Sequence, residues 1–139
     1  SGSMVRTLLI NDKVVVNRLS YQWGEPQRGQ IVVFRRDGAE VPGQTRDLIK
    51  RVIAVGGDDI EASGGRVILN GAPLNEPYLD NGVVTGNFGP ITVPEDHVWV
   101  MGDNRNNSSD SRFFGPVHVD QVVGRAFLRY WPASRIGAP

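Results

Sequence analysis

The sequence predicts a mainly β protein with antiparallel pairing. Three observations carry that reading. The apolar runs are short and rich in Val and Ile. Turn residues interrupt them at close intervals, with 17 Gly and 9 Pro in 139 residues. No segment sustains a helical period that would compete with the strand pattern. A chain of this length is one domain's worth and can bury a core of its own.

The elements run in order along the chain. "DKVVVNRLSY" (12–21) is a β-branched run with polar ends, a strand signal. "WGEPQRG" (23–29) is turn chemistry, and "QIVVFRR" (30–36) is the next strand. The polar stretch "DGAEVPGQT" (37–45) is an exposed loop leading into the strand "DLIKRVIAV" (47–55), which Gly56-Gly57-Asp58 ends. Residues 59–79 read as a hairpin with turns at Gly64-Gly65 and Asn70-Gly71. Residues 80–104 hold a connection and one more strand, roughly 97–101. "QVVGRAFLRYWP" (121–132) is the final strand, with a bend at Gly124. The whole chain, 1–139, reads as a single domain.

Composition excludes several classes of function. The formal net charge is zero, which argues against nucleic acid as a partner, because phosphate binding wants a basic face. The absence of Cys removes disulfides, a thiol nucleophile and any Cys-based metal site. Two histidines, His97 and His118, are too few for a His-rich metal site. Asp103, Asn104, Asn106 and Asp110 lack the spacing and the central Gly of a calcium loop. No metal and no cofactor are expected. The chain contains no run long enough to span a bilayer and no signal-peptide pattern.

Of fifteen basic residues, only Lys13 and Lys50 are lysines, and Lys50 sits inside an apolar strand. Alternation places it with Leu48, Val52 and Ala54, and Arg51 with Ile49, Ile53 and Val55. One reading is a snorkelling lysine whose head stays in water. The other is a general base. Burial disfavours an ammonium, and unlike Arg, a Lys can give up its proton. A neutral amine has a natural task beside a hydroxyl nucleophile. "SGSMVRTL" (1–8) offers such a hydroxyl at Ser3, with Ser1 two residues earlier, although Ser-Gly-Ser at a chain start also looks like a cloning scar. The densest polar stretch, "MGDNRNNSSDSRFFGPV" (101–117), interleaves Asp103, Arg105, Asp110 and Arg112. It reads either as a loop rigidified by charge-assisted bonds that aims Ser108 and Asp110 at the lysine, or as a surface loop rich in Asx turns.

Taken in order, these pieces resemble the bacterial type I signal peptidases, membrane-bound Ser/Lys endopeptidases. "SGSMVRTLLINDKVVVNRLSY" is similar to the family's serine box, in which the Ser directly before Met is the nucleophile. "RGQIVVFR" (28–35) and "KRVIAVGGD" (50–58) resemble the next two boxes, and "GDNRNNSSDSRFFGPV" (102–117) resembles the last and most specific one. "LNGAPLNEPYL" with "FGPITVPEDHVWVMGDNR" looks like the short, Gram-positive-type version. The chain departs from the common pattern at Val5-Arg6, Gln30, Val55-Gly56 and Asn106, none of which matches a catalytic group.

The resemblance implies an antiparallel architecture of coiled β-sheets, with residues 63–89 as a small ribbon-like hairpin insertion. It implies that Ser3 is the nucleophile and Lys50 the general base. It implies that Ser1 and the Ser3 backbone N–H form the oxyanion hole. Ser108 would hold the lysine amine, with Asp110, Arg112 and Arg51 as a supporting salt-bridge cluster. Walls for a substrate with small residues at −1 and −3 would come from Met4, Ile31, Val32, Val33 and Phe34. The implied partners are preprotein signal peptides and a membrane lipid surface, for which Trp23, Phe113, Phe114 and Trp131 are candidates. A transmembrane anchor, removed here, would precede residue 1, holding the domain on the extracytoplasmic face of the cell membrane. Three other readings compete: a Ser/Lys self-cleaving repressor domain, a catalytically silent β-barrel binding module, and Ser-His-Asp chemistry through His97 or His118.

Overall fold

The computed structural model describes residues 4, 13–17, 25–37 and 45–131. Two antiparallel sheets organise them. The larger runs β1 (Lys13–Asn17), β10 (Val122–Trp131), β2 (Ile31–Asp37), β3 (Thr45–Val55), β8 (His97–Met101) and β9 (Val117–His118), side by side in that order. The smaller runs β6 (Ala72–Pro73), β5 (Arg66–Leu69), β4 (Asp59–Ser63) and β7 (Phe88–Thr92). One helical turn, α1 (Ser111–Phe114), comes after the polar loop that leaves β8.

The hairpin turns fall where the sequence places them. Gly64 and Gly65 have φ of 63° and 85°, and Asn70 and Gly71 have 52° and 84°. Two successive positive φ values match the twist of the flanking strands, and Gly and Asn adopt them with least strain. Strand β7 falls within residues 80–104, which the sequence reads as a connection and a single strand at 97–101. It is an edge strand, where a proline removes no needed ladder bond. Gly89 is required there: a Cβ would come within 2.7 Å of the Ile60 carbonyl oxygen.

β3 departs from simple alternation. It pairs residue for residue with β2, Val32 opposite Lys50 and Ile31 opposite Arg51. Against β8 its register shifts between Val52 and Ala54. The extra residue of such a bulge reverses the facing of the residues beyond it. Ala54, expected on the Lys50 side, therefore packs with Ile53, while Val55 packs with Val52.

The bulge lets one strand serve two cores. Ile53, Ala54, Trp99 and Met101 meet Ile60, Val67 and Val93 between the sheets. Trp99 stacks on Phe88 with ring centres 5.4 Å apart, a geometry worth about 0.5–1.5 kcal/mol beyond area burial. On the other side of the large sheet, Val32, Phe34 and Val52 pack with Val98, Val100 and Val117.

A polar clamp also joins the sheets. Arg28 donates twice to Asp58, at 2.8 and 2.6 Å, and Asp58 also accepts from the Val55 N–H and from Asn70 Nδ2. Burial opposes ionisation of Asp58, but these donors outweigh it and lower its pKa to about 2. A carboxylate depressed by folding adds stability above its unfolded value near 3.8, and that stability is lost as pH falls toward 2. Asp58→Asn should lower unfolding free energy at pH 7 by about 1–2 kcal/mol, discounted because Arg28 is half exposed. In urea titrations the gap between the two proteins should close between about pH 4 and pH 2.

Candidate active site

Strand β3 carries two adjacent cations into the interior. Lys50 is 3 % exposed and Arg51 is 6 % exposed. As neighbours in a strand they leave on opposite faces. Arg51 is matched by Asp103, with Nε and Nη2 donating to the two carboxylate oxygens at 2.9 and 2.8 Å. Its Nη1 donates to the Gly29 carbonyl at 2.8 Å, and its guanidinium lies 4.0 Å from the Tyr78 ring centre. Such a bidentate pair is directional as well as strong. Lys50 shares its face with Leu48, Val52 and the cross-strand Val32. Burial this deep is not that of a snorkelling side chain, whose head group lies in water.

The polar loop is bonded to itself and to β8. Asp110 has no exposed surface. It accepts from the Gly102 N–H at 3.0 Å, Ser108 Oγ at 2.7 Å, and the Arg112 N–H, Nε and Nη2 at 3.1, 2.9 and 2.8 Å. Burial pushes this carboxyl up, yet the Arg112 guanidinium, the Gly102 N–H and Ser108 together hold it below the usual range. Asp110 also caps α1, whose Ser111 Oγ accepts the Val100 N–H at 2.9 Å. The loop is thus fixed by charge-assisted bonds rather than left as a solvated turn.

The expected cluster of Arg51, Asp110 and Arg112 is divided. Arg51 pairs with Asp103, and Arg112 pairs with Asp110. Loop composition shows that acids and arginines alternate, but not which acid reaches the strand. Asp103 is therefore the supporting residue that sequence spacing does not assign.

Met4 is fully buried against Ile31, Ala126 and Ile49, and its Sδ accepts the Asp103 N–H at 3.4 Å. Val32 and Phe34 belong to the valine-rich cluster instead, and Val33 is half-buried. Ser1, Ser3, Trp23 and the Trp131 side chain lie outside the described residues. Phe113 is 78 % exposed, whereas Phe114 packs 6.1 Å from Phe34 under the Arg36 guanidinium. His97 and His118 meet edge to face at 4.9 Å, at the opposite end of β8 from Met101, which pairs with Arg51. Among the described residues, no group of three or more acidic or His side chains could hold a metal ion.

Comparison with known proteins agrees with this architecture. Residues 1–131 match the family model described as signal peptidase, peptidase S26. A signal peptidase I of Leptolyngbya laminosa is 43 % identical over 99 % of this chain and 68 % of its own length. A probable signal peptidase I-2 of Synechocystis is also 43 % identical, over 99 % of this chain and 63 % of that protein. The chain thus spans about two thirds of those proteins. The crystal structure of a signal peptidase I from Enterococcus faecalis superposes with a TM-score of 0.60 at 31 % identity, covering 73 % of this chain and 96 % of that one. The family match over residues 1–131, together with the antiparallel β fold shared with a solved signal peptidase, makes the chain a peptidase. The chain belongs to the signal peptidase, peptidase S26, family, and it is a serine endopeptidase of the signal peptidase I type.

Removing the Asp110 charge should be felt throughout the loop. Asp110→Asn leaves Arg112 without its counter-charge and should destabilise the protein by about 3–5 kcal/mol, read by urea unfolding at pH 7.

Proposed function

We propose that this peptidase cleaves signal peptides from exported preproteins through a Ser3–Lys50 dyad. The burial of Lys50 within a central strand is the observation that carries the reading. An ammonium taken out of water is disfavoured relative to the neutral amine, and a neutral amine is what a general base requires. Met4, the residue after Ser3 in the chain, packs on Ile49, the residue before Lys50. The family match includes residues 1–3.

In this mechanism the Lys50 amine takes the Ser3 hydroxyl proton as the oxygen attacks the scissile carbonyl. The oxyanion is held by the Ser3 N–H and the Ser1 hydroxyl; losing one such donor typically costs about 3–4 kcal/mol of barrier. The Lys50 ammonium returns its proton to the leaving amine, an ester to Ser3 remains, and the neutral Lys50 takes a proton from the water that hydrolyses it. Ser108 gives its only proton to Asp110, which leaves its lone pairs free to accept from the lysine nitrogen. The two ion pairs, Arg51–Asp103 and Arg112–Asp110, hold the strand and the loop in place.

The substrate binds extended, by adding to a strand edge, so that the −1 and −3 side chains point the same way. Met4 and Ile31 are the best-supported wall residues, because they pack together beside β3. We place this activity at the membrane, with an anchor upstream of residue 1, the catalytic domain on the extracytoplasmic side, and Phe113 facing the lipid surface. No described helix is long and apolar enough to cross a membrane.

Ser3→Ala and Lys50→Ala should each lower cleavage of a preprotein, supplied in trans, by about a thousandfold or more, with circular dichroism and melting temperature retained. A fully active Lys50→Ala rules out the dyad. The base works deprotonated, so the rate should rise with pH through a step well below the unperturbed lysine value of about 10.4. A rate that stays level from about pH 6 to 9 contradicts a lysine base.

A further inference from the structure

The connection from β6 to β7, two strands of the small sheet, sends two side chains against the loop and the strand of the large one. The Glu76 carboxylate accepts from Arg105 Nη1 and Nη2 at 3.3 and 2.5 Å. The Arg105 side chain has no exposed surface, and it donates further to Thr85 Oγ1 at 3.0 Å and the Gly102 carbonyl at 2.9 Å. The Tyr78 hydroxyl donates to the same Glu76 carboxylate at 3.0 Å, while its ring lies under the Arg51 guanidinium. Burial first, and the Glu76 charge second, push the Tyr78 phenol above its ordinary value, so it stays a donor at any working pH.

These contacts converge on Gly102. Its carbonyl is held by Arg105 and its N–H by Asp110 Oδ2. That same carboxylate oxygen accepts the Ser108 proton. A shift of Gly102 therefore reaches Ser108 through one atom. On the other arm, Tyr78 bears on Arg51, the strand neighbour of Lys50. Breaking a buried ion pair is destabilising, and its directional hydrogen bonds also fix where the two backbones lie.

We infer that Glu76 and Tyr78 are positioning residues for the active site, acting through Arg105 and Arg51 on the loop that carries Ser108 and on the strand that carries Lys50. The inference rests on the Ser3–Lys50 reading above. It makes the connection between β6 and β7 part of the catalytic apparatus.

The test compares Glu76→Gln, Glu76→Asp and Tyr78→Phe with Ser3→Ala and Lys50→Ala in steady-state cleavage of a signal-peptide substrate. Active sites are counted by covalent trapping of Ser3 with a lactam electrophile. For Glu76→Gln, kcat per trapped site should fall about ten- to a hundredfold, the scale of a small misplacement of reacting groups, while KM moves less than about twofold. Tyr78→Phe, which keeps the ring beside Arg51, should show a smaller fall in the same direction. Glu76→Asp, which keeps the charge, should recover part of the loss. A merely structural role would reduce the number of trapped sites and leave kcat per site unchanged, and that result in Glu76→Gln and Tyr78→Phe overturns the inference. Should Glu76→Gln fail to fold, Tyr78→Phe decides alone. With Ser3→Ala and Lys50→Ala inactive, an unchanged kcat per site defeats only the positioning role. If those two stay active, the dyad reading falls and the inference falls with it.

Discussion

The Asp110 carboxylate is the constraint on which the polar loop depends. Moving an ionised carboxylate away from water costs several kcal/mol, and it persists only when its lone pairs are taken up by donors. Here the donors come from β8's end, from the loop and from α1, so one buried charge fixes three pieces of backbone relative to each other. An Asn- and Ser-rich stretch that would otherwise sample many turns becomes a surface of defined shape. Ser108 is aimed because its proton has one destination.

A second constraint is the neighbouring pair of cations on β3. A strand sends Lys50 and Arg51 to opposite faces, so no single counter-charge can serve both. Asp103 meets Arg51 with a fork-to-fork geometry that a lysine could not provide. The residue types are thus not interchangeable. Arg stands where a permanent charge is bonded bidentately, and Lys stands where a proposed base must be able to lose its proton.

Most strands were legible because their signals are local. β-branched runs and paired turn residues placed β2, β3, β5, β8 and β10 within a residue or two. β7 was not legible, because Gly89 and Pro90 carry turn propensity and only pairing with β4 makes the segment a strand. The bulge in β3 was hidden for the same reason, since it is a property of the register with β8. Within the candidate site, residue type singled out Lys50 and the polar loop but left two readings of each, and burial of Lys50 and the bonds of Asp110 decide between them. The choice of Asp103 over Asp110 for Arg51, and the reach of Glu76 to Arg105, depend on tertiary geometry that spacing does not encode.

Register is what joins stability to chemistry in this fold. A slip of one residue in β3 would exchange the faces of Lys50 and Arg51. It would also turn Ile53 and Ala54 away from the intersheet core and break the Arg51–Asp103 pair. Each of these penalties is independent of catalysis, and each is incurred by the same displacement. The packing that holds the two sheets together therefore specifies which face the lysine takes, and the bulge beyond Val52 allows the strand to leave the candidate site and enter the intersheet core without a compromise at either end.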